Sequence, residues 1–155
     1  MTERLGRWWP WIVPPVLLLM VYSRGLQSWF QQDDFAWLLQ WRLFNSWSDL
    51  PGLLFTPQAQ GTIRPWPERA FFLAGYGLFG MDPRPMHALV ALTQVGSLWL
   101  MASLMVRLTG SRVAAGLAAM LWVISPGLGT PMSWLSTYNQ ILCGFFLLAT
   151  LTLFI

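Results

Sequence analysis

The chain has 155 residues, of which 55% are hydrophobic and 10% are charged, and its mean hydropathy is +0.51. A soluble globular domain carries about 25% charged residues, so this chain has too little charge to cover a water-facing surface. The composition excludes a disordered chain, a nucleic-acid-binding module and a cytosolic enzyme, and it indicates a protein whose main solvent is lipid. Cys143 is the only cysteine, so neither an intrachain disulfide nor a cysteine-based metal motif is expected.

Uncharged stretches divide the sequence into four predicted transmembrane helices, which gives an all-α, multi-pass membrane protein. The predicted spans are residues 8–23, 86–106, 112–125 and 132–155, with a proline- and glycine-rich turn over residues 126–131 between the last two. The first is shorter than the about 20 residues that a span needs, and it contains three prolines. A cleaved signal peptide is the alternative for this first stretch, although no small-x-small cleavage site follows it.

The arginines predict the orientation. Arg4 and Arg7 precede the first span, and Arg107 and Arg112 lie in the short loop between the second and third spans. Short loops rich in arginine stay on the cytoplasmic side, so both sites place the N-terminus inside. Residues 24–84 are then external, and the expected location is the plasma (inner) membrane.

The external segment opens with a stretch, residues 28–47, whose aromatic residues have helical spacing. Four rings fall on one narrow face and predict an amphipathic helix on the membrane surface: Phe30, Trp37, Trp41 and Phe44. Asp33 and Asp34 flank that face. One of the two acids could cap a helix that starts at Phe35, or the pair could act as a general base, or it could ligate a divalent cation.

Two further candidates lie nearer the second span. Arg64 could clamp a phosphate through its guanidinium group, or it could form a salt bridge with Glu68 or snorkel to the membrane interface. An apolar run at residues 70–81 is too short to cross a bilayer, so it is predicted to be interfacial or re-entrant. His87, the only histidine, opens the second span and could instead cap or hydrogen-bond a loop. A zinc site needs more nitrogen ligands than this chain has.

Taken together, these features resemble the front half of integral-membrane glycosyltransferases of the GT-C fold. This group includes the protein O-mannosyltransferases and the bacterial polyprenyl-phosphate-sugar transferases. The resemblance covers roughly residues 10–155 and rests on the order of a series of short motifs. They are Gln32-Asp-Asp-Phe35, Arg64-Pro65, Leu78-Phe-Gly-Met-Asp-Pro83, His87, Arg107-Leu-Thr-Gly-Ser-Arg112 and Trp134-Leu-Ser136.

The resemblance implies roles for individual residues. Asp33 would be the catalytic base or acceptor-binding group, with Asp34 supporting it. Arg64 and His87 would lie near the phosphate of the lipid-linked donor. A second external loop would contribute a tryptophan and a serine, at Trp134 and Ser136. Some relatives carry a second histidine two turns after the first, and this chain has Gln94 there instead.

The implied activity is transfer of a sugar from a polyprenyl-phosphate donor to an acceptor on the outer face of the membrane. The resemblance names neither the acceptor nor a certain cofactor. Enzymes of this fold need more spans than four, so we expect an incomplete module. The alternative is a non-catalytic membrane subunit that assembles with a larger membrane partner. Membrane lipid is an expected partner in both cases, and nucleic acid in neither.

Overall fold

A computed structural model describes the backbone of residues 2–57 and 63–155, and the side chains of residues 8–57 and 63–155. All regular secondary structure in these residues is helical, which confirms the predicted all-α class. Residues 58–62 of the predicted external segment lie outside the described residues. The α-helices are α1 (Thr2–Tyr22), α2 (Asp34–Leu39), α3 (Leu50–Phe55), α4 (Phe71–Phe79), α5 (Arg84–Thr109), α6 (Arg112–Val123), α7 (Gly129–Ser133) and α8 (Tyr138–Phe154).

Within the described residues, two helices are long and apolar enough to cross a membrane. They are α5, with 26 residues, and the 20-residue stretch Leu135–Phe154 that contains α8. A third candidate is α6 taken together with Pro126–Ser133, two pieces that meet at a bend of 58°. The apolar part of α1, Trp8–Tyr22, is shorter than these. The structure therefore has two or three helices that could span a membrane.

Helices α1 and α6 lie side by side and run in the same direction. Near the start of both helices, the Trp9 ring lies so close to Gly116 that a Cβ there would come within 2.0 Å of it. Near their ends, the Tyr22 hydroxyl donates to the Val123 carbonyl at 2.9 Å. A residue larger than glycine at position 116 would push the two helices apart, because aromatic rings cannot deform.

Helix α5 packs antiparallel to α1. The two helices are joined by a hydrogen bond to a backbone carbonyl that a proline leaves unpaired. Pro15 has no N–H, so the carbonyl of Trp11, four residues earlier, cannot be satisfied within its own helix. The indole Nε1 of Trp99 donates to that carbonyl at 2.9 Å. This contact explains how α1 accommodates a proline in its interior while it packs on a neighbour.

Helix α8 runs in the same direction as α5. Tyr138 and Thr93 share a hydrogen bond of 2.9 Å near the start of α8, and Arg107 Nη1 donates to the Thr152 carbonyl at 2.7 Å near its end. Helices α5 and α8 therefore run one way, and α1 and α6 run the other.

The turn between α5 and α6 is short. Gly110 adopts a left-handed conformation with φ +68°, and its N–H bonds to the Val106 carbonyl as a helix C-cap. The next residue, Ser111, caps α6 by accepting a hydrogen bond from Ala114 N at 3.2 Å. These two caps place α6 beside α5 with Arg107 and Arg112 at the same end of the bundle.

Several predicted boundaries need correction. The first predicted span, 8–23, belongs to a helix that already begins at Thr2 and continues through all three of its prolines. The last, 132–155, is regular only from Tyr138, because α7 and a 3₁₀ turn at Leu135–Thr137 precede it. The predicted spans 86–106 and 112–125 correspond closely to α5 and α6.

The helix predicted over residues 28–47 is wrong. Only α2 and a short 3₁₀ helix, Gln40–Leu43, form in this stretch, and the chain is extended at Ser46. The Asp49 carboxylate accepts hydrogen bonds from Asn45 N and Ser46 N at 3.0 and 2.9 Å, which holds the chain in a turn. Aromatic spacing predicts a continuous helix only where no side chain competes for the backbone.

Candidate functional site

The acidic pair lies at the start of α2. Asp34 is the first residue of the helix, and Asp33 precedes it without capping it through its side chain. Asp34 Oδ2 accepts a hydrogen bond from Gln31 N at 2.8 Å, which closes a turn just before the helix. Gln32, within this turn, has a φ of +42°, an unfavourable conformation for a residue with a Cβ. The turn leaves the Asp33 side chain exposed and the Asp34 side chain buried.

The buried carboxylate of Asp34 is bonded to a residue 102 positions later in the chain. Its Oδ1 accepts from Ser136 N at 2.8 Å and from Ser136 Oγ at 2.5 Å. Only 1% of the Asp34 surface is exposed. The structure therefore brings together two of the predicted site residues, one from each of the two segments that the sequence predicts to be external.

A second set of hydrogen bonds ties the same two segments. Ser28 Oγ and the Gln31 side-chain amide both lie within hydrogen-bond distance of the Ser133 carbonyl, at 2.6 and 3.2 Å. Gly25 lies against Ser133, and a Cβ at Gly25 would come within 3.2 Å of the serine Cβ. We call these two segments, residues 25–34 and 133–136, the clasp.

His87 supports the clasp from the first turn of α5. Its Nε2 lies 3.1 Å from the Ser28 carbonyl and 3.3 Å from Ser28 Oγ, and the side chain is 1% exposed. A carbonyl can only accept, so this network assigns the proton to Nε2. Nε2 is then no base for the Ser28 hydroxyl, and the pair does not form a serine–histidine nucleophile. Among the described residues, His87 Nδ1 has no hydrogen-bond partner.

Burial and hydrogen bonding act in opposite directions on Asp34. Burial disfavours the charged carboxylate and raises the pKa of Asp34, and it outweighs the hydrogen bonds from Ser136 and Gln31, which lower it. The nearby His87 ring adds a smaller lowering effect on the same pKa. Burial of the Asp34 carboxylate is therefore energetically unfavourable, and three hydrogen-bond donors hold the side chain in place.

Arg64 forms an ion pair with Glu68, one turn later in the chain. This is the salt bridge that the sequence offered as the alternative to phosphate binding. The Glu68 side chain is buried, whereas the Arg64 side chain is 47% exposed, so part of the guanidinium still faces outward. No hydrogen bond within the described residues connects Arg64 to Asp33 or Asp34.

Trp134 lies inside the clasp next to Ser136, where its backbone carbonyl accepts from Thr137 Oγ1 at 2.6 Å. Its indole Nε1 is buried and has no acceptor among the described residues. The described residues contain no cluster of three or more metal-ligating side chains. Asp34 already accepts three hydrogen bonds, so a cation at the acidic pair would compete with those donors.

Sequence reasoning missed several structurally important polar residues. Arg69 is fully buried, and its Nη1 donates to the carbonyls of Leu53, Leu54 and Thr56 at 3.0, 2.9 and 2.5 Å. It thereby holds the end of α3. Ser28 was missed as well, because a single serine among aromatic residues carries no motif.

An apolar groove of about 390 Å³ lies between α4 and the first turns of α5. Its walls include Ala74 and Leu78 from α4, Leu89 from α5, and Tyr138. The Tyr138 hydroxyl is bonded to Thr93, so the lining offers little to a polar ligand.

No protein family, curated protein or solved structure matches this chain.

Proposed function

We propose that this chain is a GT-C-type glycosyltransferase module that transfers a sugar from a polyprenyl-phosphate donor to an acceptor at the outer face of the membrane. The observation that carries the proposal is the difference in burial and bonding between the two acids of the pair. Asp33 is exposed, while its neighbour Asp34 is buried and bound to the second external segment. An exposed carboxylate on a rigid support at the end of apolar helices suits proton transfer beside a membrane-embedded donor.

In the proposed topology α1, α5, α6 and α8 each cross the plasma (inner) membrane, with the N-terminus in the cytoplasm. The alternating helix directions support it, and so does the position of Arg107 and Arg112 at one end of the bundle. The apolar part of α1, Trp8–Tyr22, is about 22 Å long, so α1 would cross the about 30 Å hydrocarbon core only with local thinning of the bilayer or with part of its polar first turns. The segment with α2, α3 and α4 lies at the outer interface.

The chemistry follows from these positions. Asp33 takes the proton of an acceptor hydroxyl, whose oxygen bonds to the anomeric carbon from the face opposite the phosphate. The bond from that carbon to the phosphate oxygen breaks, so polyprenyl phosphate leaves and the configuration inverts. Arg64 neutralises the charge that develops on the leaving phosphate. Asp34 and His87 touch no reacting atom in this scheme, and they hold the turn that presents Asp33.

The apolar groove between α4 and α5 supports a lipid-linked donor. It opens beside the α5 helix, which is long enough to cross the bilayer, and its walls are hydrocarbon. A donor whose chain lies in this groove would keep its phosphate at the interface, near Arg64. Apolar contacts along the chain then contribute binding energy while the sugar remains on the outer side.

The test compares Asp33→Asn with Asp49→Asn, a second acid of the external segment that lies outside the clasp. Both variants are expressed as the full chain and reconstituted with a polyprenyl-phosphate sugar donor, and sugar transfer is measured. We expect Asp33→Asn to reduce transfer at least about 100-fold, because a general base is lost. Asp49→Asn should leave it nearly unchanged. Full activity of Asp33→Asn, with normal membrane insertion, would refute the assigned role.

One observation favours a second candidate, a non-catalytic subunit of a larger membrane assembly. Asp34 and Ser136 satisfy each other within the chain, as structural polar groups do. A subunit of this kind should copurify with a larger membrane partner in mild detergent. A monodisperse single chain under those conditions would count against it.

A further inference from the structure

We infer a second binding site, for the anionic headgroup region of a membrane lipid, in an aromatic pocket beside Arg42. The pocket has a volume of about 250 Å³ and lies between α2, the following 3₁₀ helix and α4. Arg42 is its only charged lining residue. The inference requires membrane placement of the chain but does not depend on sugar transfer.

The walls of the pocket are rigid. The rings of Trp41 and Tyr76 lie 5.5 Å apart at 43°, and Phe35 lines the same space. Trp41 also lies directly on Gly77, where a Cβ would come within 2.9 Å of the ring. Only glycine permits this approach, so the helix α4 backbone holds the indole in place. A pocket held this way loses little entropy when a ligand binds.

The charge of Arg42 is not neutralised within the described residues. Arg64 pairs with Glu68 and Arg84 pairs with Asp82. Arg42 is exposed and forms neither a salt bridge nor a hydrogen bond in this part of the chain. A guanidinium at the edge of an apolar pocket fits a ligand that carries a phosphate next to hydrocarbon.

The position of the pocket favours a membrane lipid as the occupant. Two of its lining residues, Leu39 and Phe35, are large apolar side chains that are 55% and 44% exposed. Such a surface is stable against lipid and unfavourable against water. The phosphate would contact Arg42 at the interface, and the upper part of an acyl chain would fill the space between Phe35 and Tyr76.

The experiment uses the full chain in an uncharged detergent and follows its thermal unfolding during titration with dihexanoyl phosphatidic acid. A ligand that binds the folded form raises the unfolding midpoint, so the titration reports an apparent Kd. Arg42→Gln should weaken phosphatidic acid binding roughly tenfold or more. Arg24→Gln is the matched control, because Arg24 is also exposed, forms no salt bridge with any described residue and lies outside the pocket. It should change the Kd by less than about twofold.

Two further comparisons separate the pocket from general electrostatic attraction. Phe35→Ala should weaken binding, whereas Phe55→Ala, an exposed aromatic residue of α3, should not. Dihexanoyl phosphatidylcholine should bind more weakly than phosphatidic acid, because its headgroup has no net charge. Equal losses in Arg42→Gln and Arg24→Gln, or equal affinity for the two lipids, would overturn the proposal. Either result would leave the proposed transfer reaction untouched, since that reaction is tested separately at Asp33.

Discussion

Two acidic residues between α1 and α4, Asp34 and Asp49, make the same local turn but have different surroundings. Asp34 Oδ2 accepts from the N–H three residues earlier, Gln31, at 2.8 Å. Asp49 Oδ2 accepts in the same way from Ser46, at 2.9 Å. Both carboxylates therefore satisfy backbone donors ahead of a short helix.

Their surroundings separate them. Asp34 is buried and bonded to Ser136 across the molecule, and burial raises its pKa. Asp49 bonds only within its own turn, and hydrogen bonds from Asn45 and Ser46 lower its pKa. One local motif thus serves as a long-range link at one place and as a surface turn at the other. What distinguishes them is the partner that the fold supplies.

The largest expected effect comes from removing the link. Asp34→Ala should lower the free energy of unfolding by about 3 kcal/mol, because the buried donors of Ser136 and the part-buried N–H of Gln31 lose their acceptor. Chemical denaturation in detergent micelles measures the change, and Asp49→Ala is the matched control. Similar small losses in both variants would show that the clasp contributes little to stability.

A smaller loss is expected when only the hydroxyl of the partner is removed. Ser136→Ala keeps the backbone donor to Asp34 but deletes the Oγ donor, so it should cost about 1–2 kcal/mol. Ser136→Thr retains a hydroxyl and should recover most of that loss in the same denaturation assay. An equal loss in both variants would mean that shape, and not the hydrogen bond, matters at this position.

The two acids should also respond to pH in opposite directions. In the folded protein Asp34 keeps its proton to a higher pH than it does in the unfolded chain, where the aspartate pKa is 3.8. Its contribution to the free energy of unfolding therefore falls as pH rises from 3.8 through the raised pKa. The Asp49 contribution is complete above 3.8 and is lost as pH falls below it. We expect Asp34→Asn to lose the fall in stability with rising pH, and Asp49→Asn to lose the fall with decreasing pH. Unfolding free energy measured against pH in each variant tests this. The same slope in both variants would contradict the assignment.

The smallest effect is expected from Asp49→Ala. The freed N–H groups of Asn45 and Ser46 face solvent and can bond to water, so the free energy of unfolding should fall far less than in Asp34→Ala. Hydrogen exchange should accelerate at those two amides and stay unchanged at Ser136 N. Faster exchange at Ser136 would show that the two turns are coupled.

Much of the fold followed from charge and hydropathy. The uncharged stretch before Arg107 predicted α5 to within a few residues, and the proline-rich break after Ser125 predicted the end of α6. The aromatic spacing of residues 28–47 wrongly predicted one continuous helix, because Asp49 competes for backbone donors at the end of that stretch. Periodicity reports which face is apolar, and it does not report where a side chain ends the helix.

The site was predicted only in part. Asp34 and Ser136 were both singled out, but nothing in the sequence indicated that they bond to each other across 102 residues. The buried Arg69 left no signal either, because its acceptors are backbone carbonyls, which every residue has. Long-range polar partners are determined by packing, and the local pattern of a single sequence carries no record of them.

The bond from Trp99 to the Trp11 carbonyl has a consequence for how the chain is assembled. In the proposed topology, α1 enters the bilayer with an acceptor that Pro15 has left unpaired, and lipid provides no donor for it. We therefore expect α1 to be more stable in the membrane once α5 supplies its indole to this carbonyl. In the proposed topology, Trp99 thus stabilises the first helix only after the second has entered the bilayer.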